Sequence, residues 1–156
     1  MVGLIYFARA DSGRRLCPST DLRPVLTWKT QVVQVKRVSP GEAVSYGGTF
    51  IAKRKTTLAV LAVGYADGYS RAFSNRGRIL LHGCMVPVVG RVCMDLTIVD
   101  VTDIPEVIPG TEAVLIGRQG AASISANDLA AQIETISYEI LTSIGPRVQR
   151  VYKDTD

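Results

Sequence analysis

A mainly β fold, a compact barrel- or sandwich-like domain with one short helical pair near residues 125–144, is what this 156-residue sequence predicts. Three observations carry that expectation. Strand-length apolar runs recur from Val25 onward, with turn chemistry between them. Helical periodicity appears once, late in the chain. The first long run also changes the parity of its apolar face partway along, as a strand does at a bulge or bend.

Taken in order, "MVGLIYFA" reads as a buried strand, and the polar, proline-bounded "RADSGRRLCPSTDLRP" after it reads as a linker. Residues 1–20 are therefore expected to be the remnant of a preceding domain plus a linker, and residues 21–156 the β domain. In "VLTWKTQVVQVKRV" the apolar face is even-numbered at Leu26, Trp28 and Val32, then odd at Val33 and Val35. "SPGE" is a turn, and "TLAVLAVG" a strand buried on both faces. "GRILLHGCMVPVVG" predicts a hairpin about Gly83, with Pro87 on an edge or irregularity. "VCMDLTIVDV" alternates, with Val92, Met94, Leu96 and Ile98 on one face, and "PG" introduces a further strand, "TEAVLIG". Ser125 is the expected cap of the first helix, with Asp128 in the box position. A second helical stretch carries Tyr138, Ile140, Leu141 and Ile144 to a stop at Gly145–Pro146. "RVQRVY" is expected to close the domain as a strand.

Hydrophobic residues make up 47% and charged residues 21%, the balance of a chain that buries a core. No apolar run approaches the roughly 20 residues of a membrane span, and Met1–Ala10 lacks the basic flank and cleavage site of a signal peptide. The net charge is +4, but the basic residues are scattered. The tightest group, Lys53–Lys55, has no interleaved aromatics and reads as a solvated turn, so neither nucleic acid nor membrane is the expected partner of this segment. Three cysteines and a single histidine offer no metal-ligand spacing and point to a reducing cytoplasm.

No nucleotide-binding glycine loop, nucleophilic triad or paired carboxylates appear. What remains are tyrosines set beside glycines. Taken singly, Tyr46 reads as a half-buried strand residue, "GYADG" as a turn, Met94 as core, Cys93 as an inert small hydrophobe, Asp95 as a surface residue and Tyr138 as a packing aromatic. Together, "VSYGGTF", "VGYADGY", "VGRVCMD", "IGRQG", "ETISYEI" and "RVQRVY" stand in an order and spacing that closely resembles the C-terminal domain of alanine racemases. The resemblance runs from residue 22 to 153.

That resemblance implies an isomerase that uses pyridoxal 5'-phosphate to interconvert L- and D-alanine, supplying D-alanine for the cell wall. An N-terminal (β/α)-barrel holds the cofactor on a lysine, and the β domain closes the barrel of a second subunit in a head-to-tail homodimer. Tyr46 matches the catalytic tyrosine that serves one face of the substrate. An unperturbed phenol, with a pKa of about 10, is a poor base at neutral pH, so cationic or hydrogen-bonding neighbours from the barrel are implied. Met94 matches a residue whose backbone N–H meets the substrate carboxylate, and Tyr65 one that narrows the entrance. Tyr138 matches a residue that narrows the same entrance and reaches the cofactor phosphate. Asp95 matches an acidic residue along the corridor. No lysine of this chain matches the cofactor lysine, so the domain holds half a site and is expected to be inactive alone. Two alternatives stay open: a serine-preferring racemase of the same architecture, and a non-catalytic β-barrel that binds a partner.

Overall fold

Strand β1 (Trp28–Val38) is the spine of the fold in the computed structural model, which describes residues 24–152. Its first part pairs antiparallel with β8 (Glu112–Gln119), and its second part with β4 (Thr56–Leu61). The register shifts between Val32 and Gln34, which makes Val33 the extra residue of a bulge. The predicted parity change is therefore real, and it lets one strand pair with β8 and then with β4. Val33 itself does not join the buried face as expected, because a bulged residue has no partner across the ladder; it is exposed.

The remaining strands follow from the turns. Pro40 and Gly41 turn the chain into β2 (Ala43–Val44), which pairs with β3 (Phe50–Ile51). Strand β4 is buried on both faces as predicted: Leu58 packs in one cluster with Val38, Val44, Ala52 and Val89, while Ala59 and Leu61 belong to the larger core. Strands β5 (Arg78–Leu81) and β6 (Cys84–Pro87) form the expected hairpin. Its two-residue turn places His82 at φ 52 and Gly83 at φ 74, the left-handed pair whose twist matches a hairpin. Pro87 lies in an edge strand, where no ladder hydrogen bond is lost.

Strand order in the seven-stranded sheet is β6-β5-β8-β1-β4-β7, where β7 is Thr97–Asp100 and β9 (Ala122–Ile124) pairs beside β8. The sheet curls until its outer strands nearly meet. Val88 bridges Val99, and the Val89 N–H donates to the Ile98 carbonyl at 2.9 Å, without a full ladder to close the barrel. Helices α1 (Ala126–Gln132) and α2 (Ser137–Thr142) cover one side. Ser125 caps α1 as predicted: its Oγ accepts from the Asp128 N–H at 3.1 Å, and Asp128 Oδ2 accepts from the Ser125 N–H at 2.7 Å. Leu129 and Ala130 drive the helix onto the core.

One expected strand is shortened and another is absent. The alternation through "VCMDLTIVDV" becomes strand only from Thr97; residues 92–96 form a loop in which the Cys93 N–H donates to the Leu96 carbonyl at 2.9 Å. "RVQRVY" is not a strand either. Arg150 donates instead to the carbonyls of Ile144, Gly145 and Val148, holding the chain in a turn beyond α2. The expectations for residues 1–20 lie outside the described residues.

Tyr69 sits at the centre of the larger core, stacked on Phe73 at 4.5 Å and edge-on to Trp28 at 6.2 Å. Its hydroxyl has no partner among the described residues. Burial pushes the phenol well above its ordinary range, because the charged form would be desolvated. Tyr69→Phe keeps the ring stack and should stabilise the protein by about 1 kcal/mol in chemical denaturation. The folded-state pKa is raised, so the contribution to stability is present below the unfolded phenol's value and is lost as pH rises past about 10. In the Phe variant the unfolding midpoint should accordingly fall less steeply above that pH.

Candidate functional site

Tyr46 stands at the tip of the β2–β3 hairpin, in a 3-10 turn spanning Tyr46–Gly48. Val44 is buried at 5% exposure and Tyr46 is 73% exposed. The reading of Tyr46 as a half-buried strand residue fails here, because Ser45 between them takes φ 64 and ψ −179. That region is essentially reserved for glycine and costs a side chain about 1–3 kcal/mol. Gly47 and Gly48 continue at φ 73 and φ 56.

The loop is clamped from two sides. Ser45 Oγ donates to the Arg91 carbonyl at 2.8 Å and lies 3.7 Å from Cys93 Sγ. Asn75 Nδ2 donates to Thr49 Oγ1 at 3.1 Å, while Asn75 Oδ1 accepts from the Gly90 N–H at 2.6 Å. Gly90 packs so closely that a Cβ there would come within 2.6 Å of Ser45 Cβ.

Tyr65 opens a second 3-10 turn, Tyr65–Asp67, and is partly exposed. The Tyr65 and Ala66 N–H groups donate to the carbonyls of Cys93 and Met94, each at 3.0 Å. Gly64 allows this approach, since a Cβ there would lie 2.3 Å from both carbonyl oxygens. The loop that results projects Met94 outward at 54% exposure, so its reading as a core residue is corrected: its carbonyl, not its side chain, is held. Among the described residues no acceptor takes the Met94 N–H.

Asp95 follows on the same loop and pairs with Arg147 at 2.6 Å. Arg147 Nε also lies 3.5 Å from Asp67 of the Tyr65 turn. The hydrogen bond to Asp95 and the charge of Asp67 and Asp95 hold the guanidinium above the ordinary arginine range. The end of α2 docks on the same turn: Ser143 Oγ donates to the Gly68 carbonyl at 3.0 Å, and the Gly145 N–H to the Asp67 carbonyl at 3.0 Å. A cleft of about 270 Å³ between them is lined by Tyr65, Gly68, Arg71, Glu139, Ile140 and Ser143. Tyr138 is half-buried on α2.

The structure thus ties the loops of Tyr46 and Tyr65 each to the 91–95 loop that carries Met94 and Asp95, and docks the end of α2, the helix bearing Tyr138, on the Tyr65 turn. Sequence reasoning quoted Ser45, Arg91 and Arg147 within its motifs but gave them no role; their neighbours in space are distant in sequence. Chemically the face offers phenols that donate and accept protons and a backbone donor suited to a carboxylate. These suit the acid–base and carboxylate-binding needs of a site built around pyridoxal phosphate. No group of His, Cys, Asp and Glu among the described residues could hold a metal ion.

Comparison with known proteins gives a consistent result. The alanine racemase of Halothermothrix orenii is 52% identical over 97% of this chain, which corresponds to 40% of that relative. The alanine racemase of Desulfosudis oleivorans is 52% identical over 84% of the chain and 34% of its own length. Among solved structures, the Bartonella henselae alanine racemase with covalently bound pyridoxal phosphate superposes with a TM-score of 0.85, at 34% identity, over 97% of this chain and 40% of that one. The Bacillus anthracis enzyme with bound L-Ala-P gives 0.78 at 41% identity over 83% of this chain and 33% of that one. The chain therefore spans 40% or less of the length of these relatives. Residues 25–152 match the family described as alanine racemase, C-terminal domain, and with that match and these identities the chain belongs to that family.

Proposed function

We propose that this domain supplies the tyrosine side of an alanine racemase site, completing the (β/α)-barrel of a second subunit in a head-to-tail dimer. The observation that carries the reading is an exposed phenol, Tyr46, whose neighbours Ser45 and Thr49 are hydrogen-bonded in place, next to the 91–94 segment, where the Met94 N–H meets no acceptor among the described residues. Pyridoxal 5'-phosphate, held by the barrel on a lysine, supplies the electron withdrawal that makes an α-proton removable near neutral pH. Inverting a stereocentre then needs one acid–base group on each side of the α-carbon. Tyr46 is the group on one side, taking the proton from L-alanine and returning it in the opposite direction. The Met94 N–H receives the substrate carboxylate. Tyr65 and Tyr138 narrow the entrance, Tyr138 also reaching the cofactor phosphate, and Asp95 borders the approach. A reducing cytoplasm is the setting proposed on the odd number of cysteines.

Tyr46→Phe in the full-length enzyme should keep the fold and lower racemisation by about 10²–10⁴-fold. Solvent isotope exchange at the α-carbon, measured on each enantiomer, should fall most from L-alanine. Equal and near-normal exchange from both would remove Tyr46 from catalysis. Serine run in parallel tests the alternative substrate.

Gly64→Ala should force the Tyr65 turn away from the Cys93 and Met94 carbonyls. We expect a loss of about 1–3 kcal/mol in stability and a rise in KM for alanine larger than the fall in kcat, read from steady-state kinetics of the full-length variant.

A further inference from the structure

We infer that Ser45 is a positioning residue, one that aims Tyr46 and couples it to the loop bearing Met94. The inference rests on the catalytic reading of Tyr46 given above and extends it to a residue that does no chemistry itself.

The argument starts from strand parity. Val44 faces the smaller core with Phe50, its partner across the β2–β3 ladder. Side chains two apart in a strand share a face, so a regular continuation would turn Tyr46 inward with Val44. Tyr46 is instead exposed. The reversal occurs at Ser45, through a backbone conformation that a glycine would adopt without strain. Glycine fills the other positive-φ positions of this turn, Gly47 and Gly48. Position 45 alone among them carries a side chain.

That side chain is used. Its hydroxyl donates to the Arg91 carbonyl at 2.8 Å and sits against Cys93 Sγ, one residue before Met94. Room for it comes from Gly90, where any Cβ would overlap Ser45 Cβ. The strained backbone sets the direction of Tyr46, and the hydroxyl fixes its distance from the 91–94 backbone. Proton transfer is sensitive to displacements of an ångström or less, so such a link acts on turnover.

A double-mutant cycle in the full-length dimer tests this, with Ser45→Gly, which relieves the strain and removes the bond, and Ser45→Ala, which keeps the strain without the bond. Each should lower kcat by about 10–100-fold and should depress α-proton exchange from L-alanine more than from D-alanine. The unfolding midpoint of Ser45→Gly should lie at or above that of Ser45→Ala, so the shared loss of turnover does not follow stability. In a Tyr46→Phe background, Ser45→Gly should cost less than about twofold, since it acts through the hydroxyl already removed. Wild-type turnover and exchange ratio in both Ser45 variants, with Tyr46→Phe impaired, would overturn the positioning role and leave the reading of Tyr46 intact. An undiminished cost in the Tyr46→Phe background would likewise overturn it. Normal exchange in Tyr46→Phe would remove both.

Discussion

The carbonyls of Cys93 and Met94 accept the N–H groups of Tyr65 and Ala66, and Gly64 lies against the same peptide with no space for a side chain. Cys93 Sγ touches Ser45 from the other direction, and the next residue but one, Asp95, is gripped by Arg147. Three other parts of the chain therefore converge on one short stretch of backbone. Main-chain hydrogen bonds are directional and do not rearrange by rotamer change, so they hold the surrounding side chains at defined separations. The proposed site, with its phenols on loops, needs that rigidity from somewhere. Here it comes from the backbone.

The scaffold beneath is built to bring those loops to one place. The bulge at Val33 lets β1 pair with β8 and then with β4, so the strands flanking the Tyr65 and Met94 loops belong to one curled sheet, while Tyr46 comes from the separate β2–β3 hairpin that Ser45 and Asn75 fasten to it. Strand β4 is packed on both faces and leads directly through Val63 and Gly64 to Tyr65. Burial on two sides leaves its end little freedom, and the turn inherits that order. Charge plays a smaller part: Arg147 and Asp95 are half exposed and only Asp67 is largely covered, and ion pairs open to solvent contribute modestly to stability. Its effect is to tie the chain beyond α2 to the two loops.

Much of this architecture was legible beforehand because it rests on local chemistry. The His82–Gly83 hairpin, the Pro40–Gly41 turn, the Ser125–Asp128 cap and the doubly buried β4 each follow from residues adjacent in sequence. The bulge of β1 was visible as a change of apolar parity. The failures share a cause. "VCMDLTIVDV" alternates well enough for a strand, yet its first half is drawn into a loop by hydrogen bonds to residues 65 and 66. "RVQRVY" has strand-forming residues, but Arg150 satisfies local carbonyls in place of a ladder.

For the site, the order and spacing of its motifs in the sequence were enough to identify the family and to single out Tyr46, Tyr65, Met94, Asp95 and Tyr138. What the sequence could not determine is how those residues are held. A serine at a glycine-only backbone conformation, an asparagine stapling Thr49 to Gly90 and an arginine shared between two aspartates are ordinary residues until the fold makes them neighbours. Composition and periodicity report what each residue prefers within a few positions of itself. The direction of Tyr46 depends on contacts between residues far apart in the chain, and only the tertiary structure creates those.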